Sequence, residues 1–300
     1  MRAWRSELAV PGSNERMIEK ALASDADVVF LDLEDAVAPA EKSNSRTVVA
    51  QSIHGRDWGG KPAAFRVNAL DTAWFYRDLI EVVEAAGKAL RLVAVPKVNR
   101  PEDVYVVDTL LRQLELAVGI SQRIALEVQI ETAEGLVKCE KIATASDRID
   151  ALTFGPGDFA ASAGMPSTHI GMQDEWDARY PGHRWHYAMS KIVVAARAAG
   201  VRAIDGPYAD FRDPDGLRRS CEIARGLGFD GKWCIHPAQI AVVNEVFSPS
   251  ETEIAWARRV LDEARQAAEV GTGSVAIDGR MIDGASIRMA ERTLASVPST

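Results

Sequence analysis

Residues whose side chains can bind metals, move protons or hold anions follow nearly every short apolar run of this sequence. Along the chain they are Asp32, Glu34, Asp35, Arg66, Asn68, Lys97, Glu131, Asp158, Asp205 and His236. If the runs are parallel strands of a barrel, their carboxyl ends lie on one face, where enzymes of this architecture have their active sites. One charge after a strand indicates only an exposed loop, but a near-complete ring of such residues favours an active site.

Two acidic residues, Glu131 and Asp158, follow the fifth and sixth predicted strands. Neighbouring strand ends allow their carboxylates to converge, and two carboxylates completed by water and substrate oxygens are typical of Mg²⁺ sites. The histidines and cysteines are not grouped in a zinc pattern. The alternative is that both acids are loop charges or ion-pair partners. Glu127 shares its side-chain direction with Glu131, but it lies deeper, where a metal would leave no room for substrate.

Arg66 ends the third predicted strand, where its guanidinium can grip a carboxylate or stabilise an oxyanion. The alternative is a salt bridge to the acidic cluster, which we define as Asp32, Glu34 and Asp35. Arg66 can make this salt bridge and bind substrate at the same time.

Three other residues have simpler interpretations. Lys42 and Arg46 follow the acidic cluster at helical spacing, and we interpret them as a solvated basic face. His236 near the mouth of a barrel is more often a packed, hydrogen-bonded residue than a general base, although its ordinary pKa suits proton transfer.

Eight apolar or β-branched runs alternate with amphipathic segments, a pattern that predicts a parallel sheet. The predicted strands are 7–10, 27–33, 63–67, 92–95, 124–130, 151–154, 202–204 and 231–235, and the predicted helices between them are 15–23, 74–86, 103–118, 134–145, 187–199 and 214–227. Because eight such units close a barrel, we predict an α/β fold, a (β/α)8 TIM barrel. An open doubly wound sheet is the rival, but Pro-Gly-Ser-Asn after the first strand does not fit its Gly-rich phosphate loop.

The predicted domain organisation is a catalytic barrel over 1–248 and a C-terminal helical or lid extension over 249–300. Within the extension we predict a helix over 251–268, a Gly-rich, turn-prone segment over 271–284 and a last helix over 285–294. We interpret this part as a lid or an oligomer arm.

Composition excludes several classes of function. The chain has 300 residues and a formal net charge of -8, which argues against nucleic acid and anionic membrane as partners. No run is apolar for the length of a membrane span, and the N-terminus lacks the apolar run of a signal peptide. Cys139, Cys221 and Cys234 match neither a zinc spacing nor a disulfide framework, so we expect a cytoplasmic protein.

Specific segments carry a family resemblance. In order, the chain contains RSELAVPGSNERMIEKAL, DVVFLDLEDAVAPAEKSNSR, FRVNAL, VAVPKV, QIETAEGL and LTFGPGDFAASAGM. Together these resemble the citrate lyase β-subunit / malyl-CoA lyase family of the HpcH/HpaI aldolase superfamily. Later segments, AIDGPYADFRDPDG, GFDGKWCIHPAQI and DGRMIDGASIRMAER, are similar to its L-malyl-CoA/β-methylmalyl-CoA lyase branch. The resemblance covers essentially the whole chain.

The resemblance implies roles for individual residues. Glu131 of the IET segment and Asp158 of FGPGD are similar to the family's ligands for Mg²⁺, with Mn²⁺ as an alternative. Arg66 of FRVN resembles its substrate-binding, oxyanion-stabilising arginine. Asp283 of MIDGAS resembles an acid/base aspartate that the lid of a neighbouring subunit delivers.

The resemblance also implies how substrate is held. The acidic cluster of Asp32, Glu34 and Asp35 would surround the waters of the metal, and backbone amides near Gly157 would bind the carboxylate of the small acid. Coenzyme A would lie across the mouth of the barrel, where the implied contacts are Arg16, Lys20, Trp233, Ile235 and Pro237.

The activity implied by the resemblance is reversible, Mg²⁺-dependent cleavage of (S)-malyl-CoA to acetyl-CoA and glyoxylate, and of β-methylmalyl-CoA to propionyl-CoA and glyoxylate. The implied assembly is a homotrimer or homohexamer whose lid acts in trans. The acceptor of the hydroxyl proton stays open between a water of the cation and a nearby carboxylate. Alternatives are an (S)-citramalyl-CoA lyase, a malyl-CoA thioesterase, a citrate lyase β subunit and a non-catalytic relic barrel.

Overall fold

Eight parallel strands form a closed barrel in sequence order. The computed structural model describes residues 4–166, 170–172, 174–177, 184–269 and 275–297. The strands are β1 (Ser6–Pro11), β2 (Val28–Asp32), β3 (Ala63–Arg66), β4 (Leu90–Val95), β5 (Ala125–Ile130), β6 (Ile149–Phe154), β7 (Arg202–Asp205) and β8 (Gly231–Cys234). Strand β1 pairs with both β2 and β8, which closes the ring. The predicted TIM barrel is confirmed, and each predicted strand agrees to within two residues at either end.

Helices follow the strands and cover the outside of the barrel. They are α1 (Glu15–Leu22), α2 (Lys42–Gly55), α3 (Phe75–Ala86), α4 (Pro101–Val118), α5 (Ala133–Ala143), α6 (Pro156–Ser162), α7 (His186–Ala199), α8 (Pro214–Leu227) and α9 (Ile240–Phe247). Side-chain caps start several of them: Asn14 accepts a hydrogen bond from the Met17 amide at 3.0 Å, and Thr132 accepts one from the Gly135 amide at 2.9 Å. Within the described ranges, no helix combines the length and the apolar composition that a membrane crossing requires.

Three of these helices are absent from the sequence-based prediction, for identifiable reasons. The Ser- and Asn-containing segment that forms α2 has no clear apolar stripe. Helix α6 is only seven residues long and begins with Pro-Gly. Helix α9 is an apolar, β-branched run whose period does not distinguish a helix from a strand.

The interior of the barrel is unusually polar. Inward-facing positions of such barrels are mostly branched apolar residues, yet five of these strands carry buried polar residues that face the interior. They are Glu7, Asp32, Arg66, Glu127, Gln129 and Thr153. This concentration of polar groups lies where the strands can direct them toward a common point.

The C-terminal residues form a second compact unit that begins at Glu245. Beyond α9 it contains α10 (Glu251–Glu269), the antiparallel strands β9 (Val275–Ile277) and β10 (Arg280–Ile282), and α11 (Gly284–Ala295). Between the strands, Asp278 and Gly279 have φ of 50° and 75°, the positive values that tight hairpin turns require. This hairpin lies in the segment predicted to be turn-prone, of which residues 271–274 lie outside the described residues. The domain boundary after 248 and the lid role stay predictions.

Candidate active site

A cavity of about 590 Å³ opens at the carboxyl ends of the barrel strands. Its described lining contains Ala9, Pro11, Met17, Asp32, Asp35, Ala36, Arg66, Gln129, Glu131, Thr153, Phe154, Gly155, Pro156, Gly157, Asp158, Ile170, Pro207, Trp233 and Ile235. Among these residues are four acids and a single base, Arg66. This volume is within the range of small-molecule sites, and the excess of acids suits a cation more than an anion.

Arg66 is held rigidly by the carboxylate of Asp32. Its Nε donates to Asp32 Oδ1 at 2.7 Å and its Nη2 donates to Asp32 Oδ2 at 2.6 Å, a bidentate pair. On the other side, Nη1 lies 2.6 Å from Glu34 Oε2. Burial acts to lower the pKa of Arg66, but the charge and hydrogen bonds of Asp32, together with the charges of Glu34 and Glu131, outweigh it and the pKa is raised. The guanidinium is therefore a fixed positive charge at the cavity, and the ion-pair and cavity-lining interpretations of Arg66 hold together.

Asp32 also shapes the loop that follows β2. Its Oδ1 accepts a hydrogen bond from the amide of Glu34 at 2.8 Å, and its Oδ2 accepts one from the amide of Ala36 at 3.1 Å. Burial alone would raise the pKa of Asp32. The charge of Arg66, its hydrogen bonds to Asp32 and the hydrogen bonds from the two amides together hold that pKa below its usual value. Asp32 is thus an ionised carboxylate at neutral pH.

Lys42 and Arg46 are buried, so their interpretation as a solvated basic face is wrong. The ammonium group of Lys42 donates to the carbonyl oxygens of Leu33 and Glu34 at 2.7 and 2.6 Å and to Asn68 Oδ1 at 2.6 Å. Arg46 is paired with acids of α3 and is only 5% exposed. Buried charges are retained only where they are paired and hydrogen-bonded. Lys42 therefore fixes the backbone at Leu33 and Glu34, which precede the cavity-lining Asp35 in the chain.

Glu131 presents a carboxylate to the cavity although the residue is only 4% exposed. Its Oε1 accepts the amide of Lys97 at 2.7 Å, while its Oε2 receives no hydrogen bond from the described residues. A Cβ on Gly155 would lie 2.3 Å from this Oε2, so only glycine there leaves room for the carboxylate. Burial, with the charges of Glu34 and Asp158, raises the pKa of Glu131 to about 7.

Asp158 lies in the first turn of α6 and lines the same cavity as Glu131. Its side chain is 42% exposed. The ammonium group of Lys97 lies 3.5 Å from Asp158 Oδ2 and pairs with Glu34. Among the described residues, no group of three or more histidine, cysteine or acidic side chains could hold a metal. A pair of carboxylates is nevertheless sufficient for Mg²⁺, which keeps several waters. The unbonded Oε2 and the raised pKa of Glu131 fit a divalent cation, because its charge would favour the carboxylate form.

The other residues predicted to bind substrate are distributed around the cavity. Asp35 is exposed and Gly157 is half-buried, and both line the cavity. Trp233 and Ile235 line it at the end of β8. The Trp233 ring centroid lies 5.4 Å from the guanidinium carbon of Arg66.

Three residues predicted to bind CoA are not part of the described lining. Arg16 and Lys20 lie on the exposed face of α1, on either side of Met17, which does line the cavity. Pro237 is exposed and starts the 3-10 helix Pro237–Gln239.

His236, which we expected to be packed and hydrogen-bonded, is exposed. Its ring stacks on Phe211 with 4.5 Å between centroids, and its Nδ1 accepts the Ala238 amide at 3.1 Å.

Asp283 belongs to the C-terminal unit and is not part of the described cavity lining. It caps α11, where its Oδ1 accepts hydrogen bonds from the amides of Ala285 and Ser286 at 2.9 and 3.0 Å. The Ser286 amide is the largest of the contributions that lower the pKa of Asp283. Its carboxylate form is therefore favoured at neutral pH.

Sequence reasoning overlooked Gln129 and Thr153 as cavity residues. Both precede the strand ends, and the alternation of side chains places them on the inward face of β5 and β6. Arg66 Nη1 donates to Gln129 Oε1 at 3.5 Å, a weak contact. Their polar type inside otherwise apolar strands is the signal by which they could have been found.

Known proteins resemble this chain over nearly its full length. The sequence pattern of the HpcH/HpaI aldolase/citrate lyase family matches residues 5–237. An L-malyl-CoA/β-methylmalyl-CoA lyase of Cereibacter sphaeroides is 43% identical over 96% of this chain and 92% of its own. A (3S)-malyl-CoA thioesterase of the same species is 36% identical over 97% and 94%. The crystal structure of CitE from Mycobacterium tuberculosis with magnesium, acetoacetate and coenzyme A has a TM-score of 0.77 and 32% identity, covering 98% of both chains.

Proposed function

The chain belongs to the HpcH/HpaI aldolase/citrate lyase family, and from this premise we propose that it is an Mg²⁺-dependent carbon–carbon lyase acting on CoA thioesters. Its substrate is (S)-malyl-CoA, cleaved reversibly to acetyl-CoA and glyoxylate. β-Methylmalyl-CoA is cleaved likewise, to propionyl-CoA and glyoxylate. The observation that carries the proposal is the convergence of Glu131, Asp158 and the clamped guanidinium of Arg66 on one cavity. The 43% identity to an L-malyl-CoA/β-methylmalyl-CoA lyase supports this substrate class.

Glu131 and Asp158 would hold the cation, with Mn²⁺ as a substitute for Mg²⁺. When bound, the cation supplies Lewis-acid polarisation of the substrate hydroxyl and carboxylate oxygens. Protein side chains supply charge stabilisation and proton transfer. Arg66, fixed by Asp32, stabilises negative charge as the carbon–carbon bond breaks and the electron pair passes to the CoA ester. Removal of one such donor typically costs about 3–4 kcal/mol of transition-state stabilisation.

In the cleavage reaction the hydroxyl proton passes to a base, either a water of the cation or a nearby carboxylate, and the former carbinol carbon becomes the aldehyde carbon of glyoxylate. The enolate of acetyl-CoA must then gain a proton at carbon, and we assign that transfer to Asp283. In the condensation direction its carboxylate removes the same proton. The capping amides of α11 lower the pKa of Asp283 and so keep the basic form available, and in the cleavage direction Asp283 must take up a proton from solvent before it donates one to the enolate carbon. The amides near Gly157 would bind the carboxylate of glyoxylate.

The cavity accommodates the acyl end of the substrate, and the rest of coenzyme A would extend beyond it. Trp233, Ile235 and Pro237 would contact it on one side. Arg16 and Lys20, both exposed on α1, offer positive charge for its phosphates.

A thioesterase acting on malyl-CoA is the second candidate, because one relative with that activity is 36% identical. Product analysis with the purified chain, Mg²⁺ and (S)-malyl-CoA separates the two candidates. Acetyl-CoA with glyoxylate supports the lyase, and free CoA with malate supports the thioesterase. Parallel reactions with citramalyl-CoA, which differs by one methyl group, test the remaining substrate alternative; a pocket distinguishes such substrates by only about 1–3 kcal/mol.

Trans action of the lid within a homotrimer or homohexamer is testable by subunit mixing. Asp283→Asn retains helix capping, because asparagine caps as well as aspartate. We expect this variant and Glu131→Gln to be inactive alone and to regain part of the activity when their subunits are exchanged. If mixed oligomers stay inactive while wild-type subunits exchange and remain active, Asp283 does not act in trans.

A further inference from the structure

Two glutamates are completely buried inside the barrel, below the cavity. Glu7 on β1 and Glu127 on β5 are each 0% exposed. Each precedes a cavity-lining residue by one inward-facing position, Ala9 on β1 and Gln129 on β5. The two carboxyl groups therefore lie on the amino-terminal side of the cavity floor, and the proposed lyase mechanism does not use them.

Glu127 is the centre of a small hydrogen-bond network. Its Oε1 accepts the hydroxyl of Thr153 at 2.6 Å and the indole N–H of Trp233 at 3.0 Å. The carboxyl group of Glu7 approaches it from β1, close enough for a hydrogen bond once one of the two groups carries a proton. The Oε2 of Glu127 is buried and accepts no hydrogen bond from the described residues. Thr153 and Trp233 both line the cavity, so Glu127 holds two residues that a substrate would meet.

Trp233 connects this network to the proposed catalytic arginine. Its ring centroid lies 4.5 Å from that of Phe30 on one side, and the Arg66 guanidinium carbon lies 5.4 Å from the Trp233 ring. The indole N–H points away from the cavity to Glu127. A change at Glu127 is therefore transmitted through the indole to the cavity floor.

We propose that Glu7 and Glu127 share one proton at neutral pH, and that this neutralised pair positions Thr153 and Trp233 at the floor of the active site. A hydrogen bond between two carboxyl groups requires a proton on one of them, because two carboxylates have no donor. Two adjacent carboxylates without water would also be strongly disfavoured. Both are positioning residues, and neither contacts the space available to substrate.

The electrostatic surroundings agree with a retained proton. Burial raises the pKa of Glu127, although the hydrogen bonds that it receives and the charge of Arg66 oppose the shift. On the side of Glu7, the thiol of Cys234 is a titratable neighbour, and burial raises its pKa. The positive charge of Arg66 is already engaged by Asp32 and Glu34.

Infrared spectroscopy tests the proton directly and does not depend on turnover. The carbonyl stretch of a protonated carboxylic acid is separate from carboxylate and amide bands. All spectra are recorded with Glu131 replaced by glutamine, because Glu131 has a pKa of about 7 and would contribute to this band. In that background we expect the protein at pH 7.5 to show the band and both Glu7→Gln and Glu127→Gln to lack it. Asp108→Asn is the matched control, because Asp108 is also buried but is an ionised partner of Arg148. Absence of the band when Glu7 and Glu127 are both intact, or its persistence in both of their glutamine variants in this background, would overturn proton sharing.

Substitutions at Glu127 test the positioning role. Glutamine copies a neutral carboxyl, since its oxygen can accept from Thr153 and Trp233 while its amide donates to Glu7. Leucine removes the acceptor and leaves buried donors unmatched. We expect Glu127→Gln to keep near wild-type kcat and KM, and Glu127→Leu to lose at least about tenfold in kcat/KM.

The indole ¹H–¹⁵N resonance of Trp233, assigned with Trp233→Phe, provides a readout without substrate. It should be slow to exchange in the wild type and in Glu127→Gln, and shifted and fast to exchange in Glu127→Leu. If Glu127→Leu keeps the wild-type resonance, or Glu127→Gln loses it as Glu127→Leu does, the positioning role is wrong. The kinetic comparison rests on the proposed lyase function, whereas the infrared and resonance results stand if the chain turns over a different substrate.

Discussion

Replacing Asp32 by asparagine should lower the free energy of unfolding by about 3–5 kcal/mol, the range for breaking a buried ion pair on one side. The carboxylate of Asp32 accepts two hydrogen bonds from Arg66 and two from the backbone amides of Glu34 and Ala36. An asparagine has a single oxygen, so its amide group must face two of these four donors. Each buried donor left without an acceptor costs about 1–3 kcal/mol, which gives a total in the same range.

The matched control is Asp27→Asn. Asp27 grips Arg5 in the same way, with Nε and Nη2 donating at 2.8 and 2.9 Å and the Arg5 amide donating at 2.8 Å. That pair is partly exposed, with 18% and 10% of the two side chains accessible, and its residues do not line the cavity. Because this pair is less buried than that of Asp32 and Arg66, we expect a smaller loss there, about 1–2 kcal/mol, and unchanged turnover.

Urea unfolding followed by circular dichroism measures both variants, and the dependence on pH supplies a further check. Because the pKa of Asp32 is lowered on folding, its contribution is complete well above the unfolded value of about 3.9 and declines as the pH falls through the folded value. The difference between wild type and Asp32→Asn should therefore be constant near neutrality and shrink in acid. Equal destabilisation by Asp32→Asn and Asp27→Asn would refute the reasoning.

Three further results are expected. Gly155→Ala should reduce the affinity for Mg²⁺ in calorimetric titration, because its Cβ would lie 2.3 Å from the Oε2 of Glu131. Gly226→Ala, which has open space around it, should leave the affinity unchanged. Equal affinities for the two variants would contradict the argument that a side chain at 155 crowds Glu131. The affinity for Mg²⁺ should fall about tenfold per pH unit well below pH 7, because a proton on Glu131, whose pKa is about 7, competes with the cation; a constant affinity from pH 5 to 8 would exclude Glu131 as a titrating ligand. Lys42→Met should destabilise the protein by about 3 kcal/mol, since three buried acceptors lose a donor. Replacing the exposed Lys138 by Met should change the stability by less than about 0.5 kcal/mol. Similar losses for the two variants would contradict the role of Lys42.

The barrel was predictable because its strands are short β-branched runs at regular spacing. The location of Arg66, Glu131 and Asp158 followed from that prediction, since residues at the ends of parallel strands converge whatever the loops do. The periodicity indicated where the acids lie, and the sequence motifs indicated a chemical role for them as metal ligands. Those inferences concern position along a strand, which a sequence encodes directly.

Contacts between distant residues were not predictable in this way. Helical spacing of Lys42 and Arg46 is the same for an exposed face and for a buried one, and only the acids and carbonyl groups that meet them in the fold distinguish the two. Lys97 could not be placed between Glu34 and Asp158 because its backbone has a φ of 51°, which few non-glycine residues adopt.

Glu127 shows the same limit. Its depth in the barrel was evident from the alternation along β5, but its contact with Glu7 joins strands that are far apart in sequence. Asp283 was selected by its motif alone, and its capping of α11 depends on local backbone geometry.

The central claim is that Glu131 and Asp158 hold one divalent cation beside Arg66. Anomalous diffraction from crystals grown with Mn²⁺ tests it most directly, because the peak marks the metal itself. We expect a single strong peak about 2 Å from a carboxylate oxygen of each acid, and its loss in Glu131→Gln crystals. A peak bound elsewhere, or one that remains in place without the Glu131 carboxylate, would contradict it.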